Sequence, residues 1–198
     1  LRTLTGGITS TADATINSVT VGKGANSVAG NTVLGESALD ASVSGGENTA
    51  IGKNALTALT SGVSNTIVGA SCGDAVTTGS DNTAIGKNAL TDNTSGANNS
   101  AVGDDSLANN TTGSGNQGFG ESTLFTNTTG SNNTAVGSSA LYGNTTASNN
   151  VAVGYSCLLS NTTGTDNSAL GSSALKNNTT GSQNTGIGLQ ALEKNTTA

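Results

Sequence analysis

The chain has 198 residues, with 29 Gly, no Pro, Met, Trp or His, and only 9% charged residues. Its net charge of −6 and six scattered Lys and Arg argue against a nucleic-acid partner. No apolar run approaches the roughly 20 residues that cross a bilayer, so no membrane insertion is expected.

The first stretch, "LRTLTGGITSTADATINS", has no apolar signal-peptide segment. Without an initiator Met, the chain is expected to be a processed product or part of a longer one. Residues 1–16 read as an N-terminal linker or lead-in, 17–30 as one or more short coils, and 31–198 as ten coils, the last incomplete.

From Asn31 onward a glycine recurs every 17 residues without insertion: Gly35, Gly52, Gly69, Gly86, Gly103, Gly120, Gly137, Gly154, Gly171 and Gly188. With that glycine in fifth place, the consensus is N-T-A-(V/I)-G-x-x-A-L-x-x-N-T-T-G-x-x. Asn holds first place in all ten coils, and Leu holds ninth place in nine, Gly73 being the exception. Seventeen residues are too few for two helices and their turns, and Gly, Asn and Thr are poor helix formers. N-T-A-V suits a short strand, A-L a second strand or bend, and N-T-T-G a turn in which Gly supplies positive φ. The expected fold is all-β: a parallel β-solenoid whose strands pair one coil to the next at about 4.8 Å. An insertion would shift the register and reverse the faces.

Along a strand, places two and four share one face and places three and five the other. The expected core is therefore the fourth- and ninth-place side chains: Ile51, Leu56, Val68, Ile85, Leu90, Val102, Leu107, Phe119, Leu124, Val136, Leu141, Val153, Leu158, Leu170, Leu175, Ile187 and Leu192. Two large apolar groups per coil are a thin core against an ordering cost of roughly 1–2 kcal/mol per residue. The Ala and Gly of places three and five would let another backbone approach closely. This predicts a homotrimer of parallel, in-register chains; the alternative is a monomeric β-helix with a tight Ala/Gly core.

The repeat resembles the head repeats of trimeric autotransporter adhesins, whose "S-V-A-I-G" strands build a left-handed β-roll. The stretch "NSVTVGKGANSVAGNTVLG", residues 17–35, carries that likeness most clearly. The N-T-A-x-G…A-L…N-T-T-G phrase also resembles repeats of bacteriophage tail fibres and large bacterial surface proteins. The likeness covers residues 17–198 and implies a left-handed, trimeric architecture. The 17-residue period is longer than that of the adhesin heads, and neither stalk nor anchor is present in these residues.

Twelfth place holds a run of seven asparagines, Asn93, Asn110, Asn127, Asn144, Asn161, Asn178 and Asn195, each followed by Thr. Turns with a hydrogen-bonded Asn ladder are the first reading; the N-x-(S/T) glycosylation pattern is matched as well. Thr columns are also a feature of ice-binding solenoids, and polar ridges bearing Tyr142 and Tyr155 offer contact with a host-surface glycan. Ala147, where other turns carry Gly, reads as a surface variant. Cys72 and Cys157, both in eighth place, lie five coils apart, roughly 24 Å, too far for a disulfide. They read as buried thiols, with interchain contact as a secondary possibility. With no His, no paired carboxylates among Asp74, Asp81, Asp92, Asp104, Asp105 and Glu121, and no Cys/His cluster, neither an enzyme nor a cofactor is expected.

The expected role is a rigid shaft of a phage or viral tail fibre that presents host-receptor binding, on a virion or cell surface. Its partners would be itself, neighbouring fibre segments or virion proteins, and a host glycan. The alternatives are the head of a bacterial trimeric surface adhesin and, third, a glycan- or ice-binding solenoid. The last coil stops mid-phrase, which leads one to expect a continuing fibre.

Overall fold

A computed structural model describes residues 13–197; residues 1–12 of the expected N-terminal linker lie outside them. Twelve strands form one sheet in chain order. The first two are β1 (Ala14–Ile16) and β2 (Val19–Gly22). The next five are β3 (Thr32–Gly35), β4 (Thr49–Ile51), β5 (Thr66–Val68), β6 (Thr83–Ile85) and β7 (Ser100–Val102). The last five are β8 (Gln117–Phe119), β9 (Thr134–Val136), β10 (Val151–Val153), β11 (Ser168–Leu170) and β12 (Thr185–Ile187).

From β3 to β12 every pairing is parallel and joins residues 17 apart, as in Thr83 with Ser100 and Ile85 with Val102. Each repeat is thus one turn of a parallel β-solenoid. Nine steps of about 4.8 Å make a rod roughly 43 Å long. The start differs from the short coil expected at 17–30. Strand β2 runs antiparallel to both β1 and β3, so residues 14–22 close that end as a hairpin. Asp13 secures it, its carboxylate accepting from the amides of Lys23 and Gly24 at 2.6 Å each.

The two strand faces are the reverse of the expectation. Third place points inward: Val33, Ala50, Ile67, Ala84, Ala101, Ala135, Ala152 and Ala169 are buried. Fourth place points outward, so Ile51, Val68, Ile85, Val102, Phe119, Val136, Val153, Leu170 and Ile187 are not core residues; all are half-buried or exposed. The reason is the narrow lumen. The ninth-place leucines Leu56, Leu90, Leu107, Leu124, Leu141, Leu158 and Leu175 are fully buried and fill it from the facing bend, leaving room for little more than a methyl group on the strand side. The Ala-lined interior is the one that the monomeric alternative required. Leu192, on the last rung, has a neighbouring coil on one side only and is 51% exposed.

One exception to the consensus, in the coil that starts at Asn65, shows the same volume constraint. Where ninth place is Gly73, third place is Ile67, and a Cβ added to Gly73 would lie 3.4 Å from the Ile67 Cδ1. The missing Leu is replaced from the opposite wall.

The bends need left-handed backbone. Seventh place has φ from +50° to +58°, and the ninth-place leucines hold +49° to +53°, a conformation that costs a non-glycine residue roughly 1–2 kcal/mol. Burial of the Leu side chain offsets that cost. Fifth place is at φ +114° to +147° from Gly52 to Gly188, beyond what side-chain-bearing residues adopt. A Cβ at most of these positions would also meet the backbone of the next coil's glycine. The fifteenth-place glycines sit in close quarters without positive φ: a Cβ on Gly79 would meet the Gly96 carbonyl and the amides of Asn82 and Asn93, although the coil of Ala147 accommodates one methyl group there. Ala147, in that same place, is buried, so it is not a surface variant.

Candidate functional site

The interior carries two asparagine ladders. In twelfth place Asn110 donates to Asn93, Asn127 to Asn110, Asn144 to Asn127, Asn161 to Asn144 and Asn178 to Asn161, at 2.7–3.1 Å. Asn195 follows at 3.4 Å. From Asn93 to Asn178 these side chains are fully buried, so in the folded rod their N-x-(S/T) patterns offer no accessible amide. The second ladder, in first place, was not foreseen. Asn65 donates to Asn48, Asn82 to Asn65 and Asn133 to Asn116 at 3.0–3.1 Å. Its signal in the sequence was an Asn held in all ten coils. The ladders converge on the fifteenth-place carbonyl: Gly96 accepts from Asn82 and Asn93, and Gly130 from Asn116 and Asn127. Among the described residues no buried side-chain nitrogen or oxygen lacks a partner.

The thirteenth-place threonines also bond up the rod. Thr94 donates its hydroxyl to Thr111 O, Thr111 to Thr128 O and Thr128 to Thr145 O, at 2.9–3.1 Å. A column of hydroxyls so committed is not a free array for ordering water.

Outside, two features stand out. The fourth-place side chains form an unbroken apolar ribbon from Leu34 to Ile187 along the sheet, flanked by the mostly Thr and Ser column of second place. Leu34, Ile85, Phe119, Leu170 and Ile187 are 43–70% exposed. The Ala/Gly face expected to receive a second backbone is internal, so an external contact on the sheet falls to this ribbon. On another side, Tyr142 and Tyr155 line a hollow of about 590 Å³ with Ser139, Ser156, Leu159 and Ser160. Phe125, one coil before Tyr142, stacks on it with ring centroids 5.2 Å apart and planes 10° from parallel.

Cys72 and Cys157 are free and buried, inside their own coil, which removes them from any interchain contact. Burial pushes their thiols up to about 12 and about 11, and a protonated thiol is a poor nucleophile. Asp74 is raised above the usual carboxylate value, first by burial and then by the nearby charge of Asp92. Asp105 accepts from the Asn88 amide at 2.9 Å. Among the described residues no three Cys, Asp or Glu side chains gather as a metal site would require. The surface presents an apolar ribbon and hollows lined by hydroxyls, amides and aromatic rings. Compared with protein-family models, curated proteins and solved structures, the chain has no match.

Proposed function

We propose that this chain is a structural fibre segment: the rigid shaft of a phage or viral tail fibre, trimeric, holding a receptor-binding element away from the particle. The observation that supports it is the ten-rung apolar ribbon on a rod whose interior is otherwise self-satisfied. Such a strip, roughly 43 Å by about 10 Å, is about half the ~800 Å² per partner of a standard interface. It would form the apolar core, with the second-place Thr and Ser column as the polar rim. Only a partner with the same rise can meet every rung, and a parallel second or third copy of this chain has it. The adhesin-head reading draws on residues 17–35; the antiparallel hairpin there weighs against it, since those heads would continue as parallel coils.

Light scattering tests the assembly. The chain should run at three times 19.0 kDa, about 57 kDa, and Val102→Lys with Val136→Lys should give folded single chains. A folded 19.0 kDa native chain would defeat the proposal.

A further inference from the structure

We infer that the groove beside the bends is a binding site for a neutral saccharide chain lying along the rod. Two hollows are built from the same repeat places. The first, about 300 Å³, is lined by Asn88, Thr91, Asp92, Asp105, Asn109 and Phe125; the second is the 590 Å³ hollow at Tyr142 and Tyr155. In both, places seven, ten and eleven supply most of the wall, and the stacked Phe125–Tyr142 pair joins them. Three of the chain's four aromatic rings are gathered here; Phe119 is the fourth.

The lining selects the ligand class. Aromatic faces carry a negative quadrupole that receives the C–H edge of a sugar ring. The hydroxyls of Ser139, Ser156 and Ser160 stand around them, and no charged side chain lines this hollow. A purely apolar ligand would strip those hydroxyls of water without replacing their hydrogen bonds. An anionic ligand would meet no cation, and Asp92 and Asp105 further along. An extended peptide needs free backbone groups to pair with, but the walls bond coil to coil, as in Thr126 N to Tyr142 O and Gly143 N to Leu159 O. A pyranose ring is about as long as the ~4.8 Å coil rise, so successive sugars meet successive coils. The groove shares no lining residue with the hollow on the apolar ribbon, and the inference does not depend on the fibre reading.

The test uses a printed array of neutral and anionic glycans, probed with the intact chain, Tyr155→Ala and Lys87→Ala. Tyr155 is 63% exposed, so its removal leaves the packing alone. The best neutral glycan is then titrated by tyrosine emission; with no Trp and only two Tyr, that signal arises in the groove. Capture of neutral glycans, a saturable emission change, at least a tenfold loss in Tyr155→Ala and none in Lys87→Ala are expected. Capture of no neutral glycan, of anionic glycans only, or equally by Tyr155→Ala overturns the inference. The oligomer mass is read separately, so the two proposals fail independently.

Discussion

The twelfth-place ladder gives a graded prediction, because removing one asparagine orphans different groups at different rungs. Asn127 donates to Asn110 Oδ1 and to Gly130 O, and accepts from Asn144. Replaced by Ala, it leaves Asn110 Oδ1 and one N–H of Asn144 unpaired inside the rod, while Gly130 O keeps the Asn116 amide. Two buried unsatisfied groups at about 1–3 kcal/mol each give about 2–6 kcal/mol. Asn93 begins the ladder, so Asn93→Ala orphans only one N–H of Asn110, about 1–3 kcal/mol, while Gly96 O keeps Asn82. The two variants lose the same side-chain volume, and their difference isolates the ladder. In urea, with a slope of about 2 kcal/mol/M, Asn127→Ala should fall roughly 1 M below Asn93→Ala. Hydrogen exchange should show the added opening centred on coils 110–144 if the rod unfolds in segments, as stacked repeats do. Equal midpoints would refute the reasoning and reduce the ladder to filler.

The remaining expectations concern packing and titration. Ile67→Ala should cost about 2–5 kcal/mol through the cavity it opens, Gly73→Leu should cost about 1–3 kcal/mol by overpacking, and the double variant should recover most of both losses; simple additivity in a denaturation cycle would count against the cross-lumen exchange. Gly86→Ala sets a Cβ against the Gly103 carbonyl, whereas nothing lies within 4 Å at Gly188. By melting temperature Gly86→Ala should therefore be far the worse, Gly188→Ala carrying only backbone strain of about 1–3 kcal/mol. Cys72 and Cys157 should resist a thiol reagent at pH 8 until the chain is unfolded. Their folded pKa values are about 12 and about 11 against a usual 9.0; the folded state therefore holds protons that the unfolded state releases. Stability should be unaffected by these thiols below about pH 9 and fall as pH rises from there toward 12. Cys72→Ala with Cys157→Ala should remove that alkaline loss, and an unchanged pH profile in this variant would contradict the assignment.

The period and the strand-per-coil architecture were legible because they depend on spacing alone: a parallel ladder obliges residue i to meet residue i+17, and any change of length is visible. Which face is inside was not legible by the rule that larger apolar side chains face inward. That rule presumes a lumen wide enough to admit them from both walls. Here a bend residue in left-handed backbone, such as Leu107 at φ +53°, fills the lumen from the far side. Nothing in propensity predicts Leu at positive φ, since the burial that repays it is tertiary.

A signal for the inversion was nevertheless present in how each column varies. Fourth place runs through Ile51, Ile85, Val136 and Leu170 while places three, eight and nine of those coils stay Ala, Ala and Leu, which a packed lumen does not allow. Third place varies in concert at two inner coils, Ile67 with Gly73 and Gly118 with Thr123, whose hydroxyl would lie 2.7 Å from a Cβ on Gly118; Val33 and Gly186, in the two end coils, vary alone. Unconstrained size marks a surface, and coupled size marks a core. The same logic separates the asparagines. In first place Asn never changes, because each side chain is both donor and acceptor in a buried chain of bonds that neither Ser nor Asp can complete. The Tyr142–Tyr155 groove follows the opposite rule, since its aromatics occur in three coils and nowhere else in their columns. A side chain that bonds to the coils above and below recurs from rung to rung along its ladder, whereas sixth and tenth place, which no such ladder ties, vary freely from coil to coil.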